Sequence, residues 1–250
     1  MLPTPDTNHI PPNTYPPAED SYLFLDALSE PSENEYLARR FPPNTASPLA
    51  VEVGTGSGII LAFLTANAKT IVGRSDLLTL GVDINAAACA AAEETIRRRC
   101  ETTRRDTDAD TATGLGCVHG DLTSPLLPGG VDIVIFNPPY VPSDTVPALD
   151  VESSIASVFD RDSTLLALAT DGGADGMEVT ERLLHGLPSA LSQRGVAYIL
   201  LCRRNKPDDV LRGVKKWDGG RWEVDIVKYS GRTGGIEQLC ILRIARALVR

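Results

Sequence analysis

The sequence predicts a doubly wound α/β fold, a mostly parallel seven-stranded sheet between two helical layers, and three observations carry that prediction. Short apolar runs alternate with helix-like stretches along nearly the whole chain, the pattern of parallel strands joined by crossover helices. A glycine-rich turn, Gly54-Thr55-Gly56-Ser57-Gly58, stands where the first such run gives way to a helix. The run 131–136, VDIVIF, reads as a central strand covered on both faces. With 250 residues, 42% of them hydrophobic, the chain suffices for one such domain and its core.

Each element follows from local chemistry. Residues 18–28 place Tyr22, Leu25 and Leu28 at helical spacing behind acidic Glu19 and Asp20, which suit a helix N-terminus. A second short helix at 33–40 ends in the proline-rich linker 42–48, so residues 1–48 read as an extension with docking helices and residues 49–250 as the domain proper. Strand 49–53 leads through the glycine turn into helix 59–67. Strand 80–83 ends in Asp83, and the alanine-rich stretch 86–99 is a helix. Residues 101–116, dense in Thr and Asp, read as a surface loop. A brief strand at 117–119 belongs at a sheet edge. Residues 141–176 form a connection too long to be ordinary, hence a lid or substrate loop. Helix 177–191, strand 196–202, a helix near 208–216 and strands 222–229 and 238–244 complete the fold. Gly231 to Gly235 suit a hairpin between the last two strands, giving an antiparallel edge.

Composition narrows the function. A net charge of -9 opposes phosphate backbones, and the basic runs 97–99 and 203–206 read as solvated faces, so nucleic acid is not an expected partner. The five cysteines include no C-x-x-C pair, which predicts free thiols in a reducing compartment. His9, His119 and His185 are scattered and suggest neither a metal site nor a triad. No apolar stretch approaches membrane-spanning length, and the opening residues lack the plan of a secretory signal. A soluble cytoplasmic or nuclear protein is the expectation.

The chemistry concentrates at predicted strand ends. Gly54, Gly56 and Gly58 allow a ligand to approach the backbone at a helix N-terminus, a weak signal shared by ordinary βα turns and dinucleotide sites. Glu52 tilts it, because an acid there repels a pyrophosphate but can pair with the ammonium of S-adenosylmethionine. Asp83 can accept from ribose hydroxyls or cap the following helix, in competition with Asn85. Asp121 can bond an adenine amino group while Leu122 covers the ring, or can be a plain turn acid. The strongest signal is Asn137-Pro138-Pro139-Tyr140, at the end of the central strand. An amide nitrogen is a poor nucleophile because its lone pair is delocalised. The Asn137 side-chain oxygen and the Pro138 carbonyl can each accept one N–H of an NH2 group, leaving the lone pair facing a methyl donor. Pro138 and Pro139 stiffen the backbone that presents these acceptors, and Tyr140 offers a stacking face. Asp171-Gly172-Gly173 and Gly231 to Gly235 read as turns.

With these residues in view, the chain resembles the eukaryotic glutamine methyltransferases of class-I translation release factors, relatives of the bacterial release factor methyltransferases. The run Tyr15-Pro16-Pro17-Ala18-Glu19-Asp20-Ser21-Tyr22-Leu23-Phe24-Leu25-Asp26-Ala27-Leu28 is similar to the family's Y-x-P-A-E-D-T-F-L-L-L-D-A-L. The runs 52–58, 83–85 and 136–141 also match. The resemblance implies a class I, Rossmann-like methyltransferase sheet and S-adenosylmethionine contacts from Ser21, Glu52, Gly54, Asp83, Asp121 and Leu122. It implies that Asn137 holds the substrate glutamine, and that a small zinc-binding activator protein forms a heterodimer with the chain. Ser21 stands where the family has Thr and keeps the hydroxyl. The short preface before the glycine turn favours the eukaryotic or archaeal branch over the bacterial one. Segments 102–116 and 151–170 are longer than the family's.

Direct in-line transfer of methyl to a glutamine nitrogen is the expected reaction, and it calls for neither a covalent enzyme intermediate nor a metal. An adenine N6-methyltransferase of DNA or RNA is the nearest alternative, since the same tetrapeptide can hold an exocyclic amine; it would bring a basic, aromatic face. A non-catalytic scaffold is the third, and the intact Asn137 and glycine turn weigh against it.

Overall fold

A computed structural model describes residues 2–107, 111–147, 158–231 and 238–248. Its strands are β1 (Leu49–Val53), β2 (Leu78–Asp83), β3 (Thr113–His119), β4 (Val131–Phe136), β5 (Leu191–Cys202), β6 (Trp222–Tyr229) and β7 (Leu239–Arg246). They form one sheet in the order β3-β2-β1-β4-β5-β7-β6. The pairings from β3 to β5 are parallel, and β7 runs antiparallel to both β5 and β6. The expected antiparallel C-terminal strand is β7, and the last two strands form one edge of the sheet; β7 lies second from that edge because the hairpin folds it back between β5 and β6. The tip of that hairpin, 232–237, lies outside the described residues. The edge position expected for β3 is observed.

Helices cover both faces. α1 (Glu19–Leu28), α2 (Pro31–Arg40), α3 (Ile59–Ala66) and α4 (Ala68–Ile71) share one core with Ile133 and Ile135 of β4 and with Val196, Tyr198 and Leu200 of β5. The alternate residues Val134, Phe136, Ala197, Ile199 and Leu201 point to the other face, against α7 (Glu178–Ala190) and α8 (Pro207–Val214), as the two-residue period of a strand requires. α5 (Ala86–Thr107) packs on α3, β2 and β3. Every residue of β4 is buried; its one acid, Asp132, is held by the Arg194 guanidinium at 2.9 Å and by the Ser192 hydroxyl at 2.6 Å.

Two segments expected to be irregular contain regular structure. α5 continues to Thr107 and β3 begins at Thr113, so the loop expected over 101–116 shrinks to a short link in which 108–110 lie outside the described residues. On α5, Glu94 with Arg97 and Arg98, and Arg97 with Glu101, form ion pairs three and four residues apart. Such pairs support a helix that polar composition alone does not announce. The long connection 141–176 contains α6 (Val158–Thr170); residues 148–157 lie outside the described residues.

The N-terminal helices are fastened by buried polar groups. The Tyr198 hydroxyl donates to Glu33 at 2.9 Å, and Arg243 donates to the other Glu33 oxygen at 2.7 Å. Arg40 donates to the carbonyls of Arg194, Gly195 and Arg246. Truncating one member of a buried ion pair strands the others. Glu33→Ala is therefore expected to lower the unfolding free energy by about 3 kcal/mol, read as a lower urea midpoint with an unchanged slope.

Candidate active site

The reversal of strand order between β1 and β4 opens a crevice at the carboxyl ends of the strands, where open α/β sheets place their ligands. A cavity of about 340 Å³ occupies it, a volume suited to a small-molecule ligand. The glycine turn, Asp83, Asp121 and Asn137 to Tyr140 all line it, so the residues singled out from four separate strand ends meet in one place.

The glycine turn is built by its neighbours. Gly54, Gly56 and Gly58 have φ of 68°, 49° and 73°, and a Cβ on Gly58 would collide with Ala92 of α5; only glycine fits that crossing. Gly58 precedes α3 without a side chain to cap it. Glu52 supplies the missing cap, its Oε2 accepting from the Leu61 N–H at 2.9 Å. Asp83 stitches the same turn to β2: Oδ2 accepts from the Gly56 N–H at 3.0 Å and the Thr55 hydroxyl at 3.2 Å, and Oδ1 from the Asn85 N–H at 2.8 Å. Asn85 caps α5 through the Ala87 N–H at 2.9 Å. A carboxylate offers roughly four lone-pair positions, so Asp83 keeps room for a ligand hydroxyl. Burial raises the Asp83 carboxyl, against the opposing effect of these donors.

The other rim residues are placed as follows. Ser21 lines the cavity from α1 and is buried; its hydroxyl donates to Asp20 at 3.1 Å. Asp121 forms an ion pair with Arg182 of α7 at the exposed mouth, and Leu122 beside it adopts a φ of 50°. Asn137 lines the same cavity, beside Gly54, whose Cβ would stand 3.9 Å from the Asn137 carbonyl oxygen, and its side-chain Oδ1 is buried without a hydrogen-bond partner. Tyr140 packs against the core while its carbonyl accepts from Asn205 at 3.1 Å.

Several lining residues had no motif of their own. Asp20 is 2% exposed, accepts from the Tyr15 hydroxyl at 3.2 Å and from the Ser21 N–H at 2.6 Å, and joins Glu52 and Asp83 as a third buried acid. Its signal was the Y-x-P-A-E-D segment itself, read as family resemblance and not as a site. Val146, Leu165 and Leu168 close an apolar wall from the connection 141–147 and α6. Asn205, behind the cavity wall, stands in a single turn after β5, with nothing in its neighbours to mark it.

The residues fit S-adenosylmethionine on structural grounds. Three buried carboxylates suit a ligand with a sulfonium and an ammonium, glycines leave the backbone open to close approach, and an orphaned acceptor awaits a donor. In fold the chain is similar to a class I S-adenosylmethionine-dependent methyltransferase of Listeria monocytogenes, with a TM-score of 0.50 and 14% identity over 94% of this chain and 64% of that one. Fold and cavity together define a doubly wound α/β domain with a ligand crevice where the strand order reverses. The sequence matches no protein-family model. It is 33% identical over 98% of its length to the eRF1 methyltransferase catalytic subunit mtq2 of Schizosaccharomyces pombe, covering 96% of that protein. It is 32% identical over 98% of its length to methyltransferase HEMK2 of Mus musculus, covering 98% of it. The chain belongs to the eukaryotic release factor glutamine methyltransferase family.

Burial raises the Glu52 carboxyl well above the usual range; the Leu61 N–H opposes this, and the nearby Asp83 carboxylate adds to it. A carboxyl whose folded pKa exceeds its unfolded value holds its proton more tightly in the folded chain, so its contribution to stability falls as pH rises from about 4.3. Glu52→Gln should therefore melt higher than the unsubstituted chain at pH 8, with the gap closing towards pH 5 in thermal denaturation. An equal gap at both pH values would contradict this account.

Proposed function

We propose that this enzyme transfers methyl from S-adenosylmethionine to the N5 nitrogen of a glutamine side chain in a class-I translation release factor, as the catalytic subunit of a heterodimer. The observation that carries the reading is Asn137, which lines the cavity together with the glycine turn and whose Oδ1 is buried without a hydrogen-bond partner. An unsatisfied buried acceptor costs about 1–3 kcal/mol, a cost offset when an N–H donor arrives. The names of the relatives support the acceptor: the yeast protein is an eRF1 methyltransferase subunit.

The bound cofactor supplies an electrophilic methyl group on a cationic sulfur. Ser21, Glu52, Gly54, Gly56, Asp83, Asp121 and Leu122 are the residues proposed to hold it. Asn137 Oδ1 and the Pro138 carbonyl each accept one N–H of the glutamine NH2. This fixes the plane of the amide and draws density onto its nitrogen. Tyr140 and the apolar wall of Val146, Leu165 and Leu168 exclude water from the acceptor. The methyl group that the cofactor would supply would join the nitrogen, with the neutral thioether as leaving group, while Asn137 Oδ1 and the Pro138 carbonyl hold the two N–H groups until one proton passes to solvent.

Charge disfavours the nucleic-acid alternative. Arg97 and Arg98 are paired with Glu94 and Glu101 and Arg99 is buried, so the first basic run offers no free cationic stripe for phosphates; in the second, Lys206 is paired with Asp175, which leaves only the exposed Arg203 and Arg204. Support for a heterodimer lies at β3, an edge strand that exposes Leu115 and Val118 and could accept an added strand from a small zinc-binding activator. A chain that is soluble, monomeric and fully active alone would remove that part of the proposal.

The test is label transfer from methyl-labelled cofactor, with and without the activator, to release factor or to nucleic acid. Label is expected on a release factor glutamine, and label on an adenine would overturn the reading. Asn137→Ala should keep cofactor affinity within about twofold in calorimetry while turnover falls roughly 10²- to 10³-fold, the scale for losing one aimed polar group.

A further inference from the structure

The acceptor tetrapeptide leaves β4 as irregular backbone, and its two prolines lack the N–H groups by which a neighbouring strand would hold it. A clamp from beyond β5 holds it instead. Asn205 is 2% exposed, and both ends of its side-chain amide are engaged. Its Nδ2 stands 3.1 Å from the Tyr140 carbonyl, 2.9 Å from that of Asp175 and 3.3 Å from that of Gly176, while its Oδ1 accepts from the Cys202 N–H at 2.7 Å. Two glycines complete the clamp. A Cβ on Gly176, which has a φ of 70°, would overlap the Tyr140 carbonyl oxygen, and a Cβ on Gly172 would overlap that of Pro139. Val141 is then laced to the end of α6, its N–H donating to the Thr170 carbonyl at 3.1 Å and its carbonyl accepting from the Gly172 N–H at 2.8 Å. The turn expected at Asp171-Gly172-Gly173, with the residues that follow to Gly176, is the wall against which the tetrapeptide rests.

We propose that Asn205 is a positioning residue for methyl transfer. By fixing the Tyr140 carbonyl it sets the direction of the backbone on which Asn137 and Pro138 present their acceptors, although its nearest tie to the tetrapeptide is a main-chain oxygen and not the reacting group. The inference rests on the acceptor role of Asn137 given above. Misplacing reacting groups by about 1 Å can cost on the order of 100-fold in rate, so a small rotation of this backbone suffices.

Asn205→Asp tests it with almost no change of shape. The variant keeps the oxygen that accepts from Cys202 but turns a second oxygen on three carbonyls, so the tie to Tyr140 becomes a repulsion. Expected are cofactor affinity within about twofold, KM for release factor within about threefold and kcat lower by about 10- to 100-fold. In amide NMR spectra the Asn137, Tyr140 and Val141 resonances should move while those of Gly54 and Gly56 stay. Unmoved resonances at 137, 140 and 141, or unchanged kcat in a folded variant, would overturn the proposal. Should Asn205→Asp fail to fold, Gly176→Ala crowds both the Tyr140 carbonyl oxygen and the Asn205 amide nitrogen and is read by the same resonances. If the unsubstituted chain transfers no methyl to release factor, the substrate assignment fails, and the resonances still decide the role of Asn205.

Discussion

The site depends on keeping one hydrogen-bond acceptor unpaired inside the protein. A buried Asn would normally find a partner, since the low dielectric that strengthens a hydrogen bond also makes an orphan costly. Here the Asn137 Oδ1 stays bare because its backbone cannot relax towards a donor. β4 is buried on both faces, the next two residues are prolines, and the Tyr140 carbonyl is already committed to Asn205. Rigidity on both sides of the tetrapeptide keeps Asn137 at the cavity wall, with an acceptor that no protein donor meets.

The rest of the carboxyl edge can be understood as support for that state. Asp83 and Glu52 tie the glycine turn to β2 and to α3, so the half of the crevice opposite Asn137 is equally fixed. The N-terminal segment closes the near side through Tyr15, Asp20 and Ser21, and α2 anchors that segment to β5 and β7 through Glu33 and Arg40. Three buried acids line the cavity, and a cation beside them would draw off the protons that burial holds on Glu52 and Asp83. That suits a cationic methyl donor better than a phosphate-bearing one, the distinction on which Glu52 first tilted the reading of the glycine turn.

Much of the fold was legible because its signals are local. β1 and β4 match their expected bounds, since an apolar run followed at once by glycines or by Asn-Pro-Pro leaves no other place for a strand to end. The errors share a cause as well. The last turns of α5 are polar and prolong a helix braced one turn earlier by the pairs of Glu94, Arg97, Arg98 and Glu101, while α6 sets Leu165 and Leu168 against the cavity. The position of β7 inside the sheet was also hidden, because a hairpin signal fixes the turn between two strands but not which of them pairs with the rest of the sheet.

The sequence by itself determined the chemistry on offer: a glycine turn, acids at strand ends and the Asn-Pro-Pro-Tyr acceptor, each written in neighbouring residues whose conformations constrain one another. Only the tertiary structure decided that these groups share one cavity, that Glu52 caps a helix while lining it, and that Asn205, 65 positions from Tyr140, holds the acceptor backbone in place. Contacts between residues so distant in sequence leave no periodic trace in the chain; they exist only once the sheet order brings the ends of β4 and β5 side by side.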